Sequence, residues 1–108
     1  MATYGDRVLD ALGDPTRRAV FTRLRSGARS VAEIAKGMDV SRSAVSQHLK
    51  VLKAARLVAV YAEGTRRLYS VDSRGVKALR TWLEGFWDEA LASFKEEAER
   101  EAAKERKR

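Results

Sequence analysis

Apolar residues recur along this chain at two different periods, and the change of period divides it. Val8, Leu9 and Leu12 mark one side of a short helix over residues 5–12. Asp14-Pro15 reads as an N-cap followed by proline at the first helical position, where its missing N–H costs nothing. Val20, Phe21 and Leu24 then carry a second helix that is expected to stop near Ser26-Gly27. Ser30 and Glu33 have capping-box spacing and open a third, short helix with Val31, Ile34, Ala35 and Met38 inward. A turn over residues 37–40 follows, and Ser41 caps a fourth helix expected to run to about Arg56. Helix, tight turn and helix in this order form a helix-turn-helix unit.

Beyond that helix the period shortens. Leu57-Val58-Ala59-Val60-Tyr61 is a strand-like run, Glu63-Gly64 supplies a turn, and Arg67-Leu68-Tyr69-Ser70-Val71 alternates polar with apolar. Two such runs around a glycine predict a β-hairpin. From Asp72 or Ser73 a long helix begins and continues past residue 100, with Val76, Leu79, Leu83, Phe86, Ala90, Phe94 and Ala98 stepping by three and four. The expected fold is mostly α with a small β-hairpin. Its 108 residues suit one domain, with 5–72 as the compact part and 73–108 as a long C-terminal helix with a charged tail.

Composition narrows the chemistry. With no cysteine, disulfides, thiolate metal sites and cysteine nucleophiles are excluded; a single histidine argues against a zinc or di-iron cage. No phosphate-binding glycine loop and no pair of carboxylates spaced for acid–base work appears, so neither catalysis nor a cofactor is expected. No apolar run approaches the about 20 residues of a membrane helix, and the N-terminus lacks the pattern of a signal peptide. A cytoplasmic location is the expectation. The charge is uneven: residues 1–74 carry 14 Lys and Arg against 7 Asp and Glu, while residues 75–108 carry 8 against 8. The whole formal charge of +7 therefore belongs to the helix-turn-helix part, as a polyanion-binding module requires.

The fourth helix shows where that polyanion would sit. At 100° per residue, Leu49 and Leu52 fall within about 40° of Val45 and close a core side. Ser43, Gln47, Lys50 and Ala54 fall near the opposite pole, with Ser46 and Lys53 toward one flank. Residues 41–56 contain no acid at all, unlike an ordinary solvated face. Ser41, Arg42, Ser43, Ser46, Gln47 and Lys50 are therefore candidate DNA contacts in the major groove of a duplex. Glutamine reads adenine through two parallel hydrogen bonds, serine serves base edges or phosphates, and lysine neutralises backbone charge. His48 lies about 60° from Val45, at the rim of the buried side. A packed structural role is its first reading and a phosphate contact its second.

At the hairpin tip, Thr65, Arg66 and Arg67 project from the turn. In a winged helix-turn-helix such a ribbon lies beside the recognition helix and reaches phosphates or the minor groove, for which arginine is suited. Arg17, Arg18, Arg23 and Arg25 of the second helix face either a DNA backbone or water, and water is the simpler expectation.

Three separated stretches resemble one family. Ala11-Leu12-Gly13-Asp14-Pro15-Thr16-Arg17-Arg18 is similar to the opening motif of the ArsR/SmtB bacterial transcription regulators. Residues 41–52 resemble that family's recognition helix, and residues 55–58 with 63–69 resemble its wing. The likeness spans about residues 5–95. It implies a winged-helix homodimer paired through the first and last helices, bound to a palindromic double-stranded DNA operator and usually repressing. It thereby assigns Val8 and Leu12 to a dimer interface. Where the family's metal sensors carry a cysteine pair, this chain has Val31-Ala32-Glu33. The likeness is thus to a metal-independent branch, with no metal site and no effector assigned.

The last helix supports the same dimer from its own residues. The row of Leu79, Trp82, Leu83, Phe86, Trp87, Ala90 and Phe94 holds four aromatics, Trp82, Phe86, Trp87 and Phe94, more aromatic surface than a core this small requires. They are read as a seam between two copies that sets the recognition helices about 34 Å apart. The competing reading folds the helix back into the core of a monomer. On the tail, Glu96–Arg100 and Glu97–Arg100 are spaced to pair. Two other functions remain open at this level, a protein-docking winged domain and a non-specific architectural DNA binder.

Overall fold

The computed structural model describes residues 3–106. In chain order the elements are α1 (Tyr4–Gly13), α2 (Pro15–Thr22), α3 (Val31–Ala35), α4 (Arg42–Ala54), β1 (Val58–Glu63), β2 (Arg66–Val71) and α5 (Ser73–Arg106). The architecture is the expected one, mostly helical with one antiparallel hairpin.

Local caps explain most helix starts. Asp14 accepts from the Arg17 amide at 2.9 Å ahead of Pro15, and Ser41 Oγ accepts from the Ala44 amide at 3.1 Å. Ser30 and Glu33 form the full capping box, and a second box joins Thr3 to Asp6 at α1. The stops were less legible. The second helix ends at Thr22, because the next amides turn back to carbonyls only three residues away: Leu24 to Phe21 at 3.0 Å and Arg25 to Thr22 at 3.1 Å. α4 ends at Ala54, two residues early. Arg56 adopts a left-handed backbone at φ 58°, and the Leu57 amide donates to Leu52 O at 2.9 Å, a Schellman closure.

The hairpin turns over Gly64 and Thr65, with Gly64 at φ 64° in the first loop position, so that Glu63 pairs with Arg66 inside the ladder. A bridge that the sequence pattern did not suggest ties the hairpin to the body. Arg29 and Tyr69 exchange backbone hydrogen bonds of 2.9 and 2.8 Å.

One core joins these parts: Val8, Val20, Leu24, Ile34, Val45, Leu49, Leu52, Leu57 and Val58 are almost wholly enclosed. Val8 is a correction. With 0% exposure it belongs to the core of its own protomer and offers no surface to a partner, whereas Leu12 and Leu79 pack at the margin of that core.

α5 begins inside the body and leaves it. Gly75 is buried, its amide donating to Arg56 O at 2.8 Å, and the Asp72 amide donates to Leu57 O at 2.8 Å. Trp82 still lies against α1: a β-carbon added at Gly5 would sit 3.4 Å from its ring. Farther along, Phe86, Trp87, Leu91 and Phe94 are 55–60% exposed. The chain measures 74 × 26 × 26 Å with a radius of gyration of 20.1 Å, against about 13 Å for a compact chain of this length. The back-folded reading therefore holds only for the first turns of α5. Among the described residues the ion pairs with both partners in this helix are Arg80–Glu84 and Lys104–Glu101; the expected Glu96–Arg100 and Glu97–Arg100 pairs are not formed. Exposed partners gain little from meeting, since water solvates both.

Candidate nucleic-acid interface

α4 is held from one side only. Val45, Leu49 and Leu52 are 0% exposed against α2, α3 and the hairpin, and they fix the rotation of the helix. Apart from Val51, what this rotation turns outward is polar or small. Ser41, Arg42, Ser43, Ser46, Gln47 and Lys50 are all exposed. The N-terminal amides of α4 lie at the same end as Ser41, Arg42 and Ser43, adding the positive end of the helix dipole to that face.

His48 is turned away from this set. It is half-buried, and its Nδ1 stands 3.7 Å from the carboxylate of Asp14, the residue that caps α2. The contact joins the flank of α4 to the start of α2 and is electrostatic when the ring is protonated. Its structural reading is the one the geometry supports.

The wing residues divide between two jobs. Thr65 stands exposed in the loop. Arg66 is ion-paired with Glu33, whose other hydrogen bonds close the α3 capping box. The Ser30 amide and hydroxyl hold the Glu33 carboxyl below the usual glutamate range, with smaller contributions from Arg66 and Arg29. Arg66 thus anchors the wing to α3, a pairing across 33 residues of sequence that no local pattern signals. Arg67, next along the strand, points to the other face and is exposed without a carboxylate within 4.0 Å among the described residues.

Three arginines of the second helix region have roles other than facing water. Arg17 Nη1 donates to Ala11 O at 3.1 Å and Arg18 Nη1 to Leu12 O at 2.8 Å, satisfying carbonyls at the end of α1. Arg23 Nη1 donates to Lys36 O at 2.9 Å, just past α3. They lock neighbouring elements together. Among the described residues no group of three or more metal-ligating side chains is gathered, and no helix is long and apolar enough to cross a membrane.

A buried helix-turn-helix core, an open acid-free helix face and a pinned β-wing beside it define a winged helix-turn-helix transcriptional regulator. A family model described as a helix-turn-helix domain matches residues 12–61. The chain is 53% identical over 96 residues to the HTH-type transcriptional regulator Rv2034 of Mycobacterium tuberculosis, covering 87% of this chain and 90% of that one. Its fold matches the ArsR-like transcriptional regulator from Rhodococcus sp. RHA1 with a TM-score of 0.71 and 31% identity, over 86% of this chain and 91% of that one. It also matches the homodimeric winged helix-turn-helix DNA-binding domain Mb0332 from Mycobacterium bovis, a possible ArsR-family regulator, at a TM-score of 0.62 and 32% identity, over 79% of each chain. The chain belongs to the ArsR/SmtB family of transcriptional regulators, DNA-binding proteins rather than enzymes.

Proposed function

We propose that two copies of this chain bind a palindromic operator in double-stranded DNA and repress transcription by occupying it. The observation that carries this reading is the outward face of α4, which is exposed, free of carboxylates and held in one orientation by the enclosed Val45, Leu49 and Leu52. Inserted in the major groove, Gln47 reads a base edge, Ser43 and Ser46 serve bases or phosphates, and Ser41, Arg42 and Lys50 meet the backbone. Thr65 and Arg67 reach the flanking backbone or minor groove, while Arg66 holds the wing in position. His48 contributes by bracing α4 against Asp14.

Pairing is supported by the uncovered aromatic row of α5. Trp82 and Phe86 stack with centroids 5.9 Å apart, and Trp87 meets Phe86 edge-on at 6.3 Å. Leu79, Leu83, Ala90 and Phe94 continue the row, and Leu12 is assigned to the same interface from α1. A two-fold pairing along this seam repeats the recognition helix about 34 Å away, one turn of duplex. A protein that reads chromosomal DNA acts where that DNA lies, in the cytoplasm.

Selection of bound fragments from a random DNA pool tests specificity, symmetry and half-site spacing together. The expected result is an inverted repeat bound ~10³-fold or more over random duplex at matched salt. Equal affinity for all sequences would leave only an architectural binder. Gln47→Ala is expected to remove about 1–3 kcal/mol of discrimination at one base pair in each half-site. Sedimentation at micromolar concentration should show twice the 12.1 kDa of one chain.

A further inference from the structure

The wing and the recognition helix enclose a second feature of the basic face. Side chains alternate along β2, so Arg66 turns with Leu68 toward α3, while Arg67 and Tyr69 share the opposite face, beside α4. On α4, Ser46, Lys50 and Lys53 lie within about 60° of one another, on the flank opposite His48. The two rows meet across a cleft of about 280 Å³ with Leu49 and Val60 as its apolar part and Ser46, Gln47, Lys50, Lys53, Arg67 and Tyr69 as its polar lining.

The polar groups of the cleft are one-sided: three cations, two hydroxyls and a carboxamide, with no carboxylate. Among the described residues Lys50, Lys53 and Arg67 have no acid within 4.0 Å, although Arg66, Arg74 and Arg80 each have one. Glu33 is committed elsewhere, to Ser30 and Arg66. Three like charges around one small cleft repel unless an anion sits among them. The wall is stiff as well: Tyr69 packs against the core, and its backbone is bonded in both directions to Arg29.

We infer that this cleft seats one phosphodiester of the DNA backbone, with Lys53 and Tyr69 as contacts additional to the base-reading face. The inference rests on the operator-binding reading above. The cleft shares Gln47 and Lys50 with that face, so a groove engaged by α4 brings its own backbone over Lys53, Arg67 and Tyr69. A phosphate gripped from both the helix and the wing fixes the register in which Gln47 meets its base, without itself reading sequence. The phenol donates from a ring that is already immobilised, and the two lysines and Arg67 replace counterions.

The test is a salt titration of the full-length protein on its selected operator and on random duplex, comparing wild type with Lys53→Gln and Tyr69→Phe. Lys53 is exposed, and an unchanged melting curve checks that Lys53→Gln is folded. Lys53→Gln is expected to lower the slope of log K against log salt by about 1 and to weaken both DNAs by roughly three- to tenfold at ~0.15 M salt. The ratio of operator to random binding stays as in wild type. Tyr69→Phe is expected to weaken both DNAs roughly two- to fivefold with the slope unchanged, because a hydroxyl displaces no counterion. An unaltered slope in Lys53→Gln, on an operator that wild type still prefers, overturns the phosphate seat and leaves the operator reading intact. A wild type with no preferred sequence overturns the operator reading instead. Competition by inorganic phosphate beyond that of chloride at equal ionic strength, lost in Lys53→Gln, reassigns the cleft to a free anion and also overturns the proposal.

Discussion

α4 and α5 advertise themselves in the same way, as amphipathic helices with an apolar stripe, and they meet different ends. In α4 the stripe of Val45, Leu49 and Leu52 is closed completely by the chain itself. In α5 only the first turns find such cover, and Phe86, Trp87, Leu91 and Phe94 remain more than half exposed. The polar faces differ in the opposite sense. α4 carries no acid and keeps its outer face for an external polyanion, whereas α5 balances its charges and makes its own surface pairs. The contrast teaches that an apolar stripe announces burial without naming the molecule that supplies it. One helix completes a monomer and presents a polar face; the other leaves its aromatic row uncovered within the monomer.

Leu49→Ala should cost the most, about 2–5 kcal/mol of folding stability by urea denaturation, because its side chain is wholly enclosed. Phe86→Ala sharpens the contrast. In dilute monomer its stability should stay within about 0.5 kcal/mol of wild type. Self-association measured by sedimentation equilibrium should nevertheless weaken by about 2 kcal/mol or more. Equal effects of Phe86→Ala on both quantities would erase the distinction between the two helices.

Gly75→Ala probes the joint where α5 leaves the body. An added β-carbon would stand 2.5 Å from Arg56 O and 2.9 Å from Leu57 Cδ2. Alanine is the better helix former, so a thermal-melt loss of about 1–3 kcal/mol would show that this close approach outweighs propensity.

The smallest expected effect is acid sensitivity. Hydrogen bonds from Thr3 hold Asp6 below its ordinary value of 3.8, those from Ser30 hold Glu33 below 4.5, and those from Arg74 hold Asp72 below 3.8. Each native carboxylate therefore binds its proton more weakly than the unfolded chain does. The resulting stability is present above about pH 4.5 and is lost as pH falls through the lowered values. Glu33→Gln should flatten the fall in urea midpoint between about pH 5 and pH 3 relative to wild type; an identical pH profile would count against the capping box as its source.

Helix starts were legible because a cap is a conversation among neighbours. Asp14, Ser30 and Ser41 each bond an amide three residues on, and those residues suffice to specify it. The acid-free face of α4 was legible for the same reason, since a helical period turns spacing directly into direction. The end of α4 was not, because Arg56 takes the left-handed conformation usually left to glycine while its carbonyl meets Gly75 from another helix. Nor was the tie between Arg66 and Glu33, or the use of Arg17, Arg18 and Arg23 to satisfy carbonyls at the ends of other elements.

Local order thus determined which segments become helix or hairpin, which sides of them are apolar, and where positive charge stands without acid beside it. Only the folded chain decided that Val8 is sealed inside while Phe86 is left outside, and that one wing arginine is tethered while its neighbour is free. Periodicity records the direction in which a side chain points. What waits for it there depends on elements brought together from distant parts of the chain.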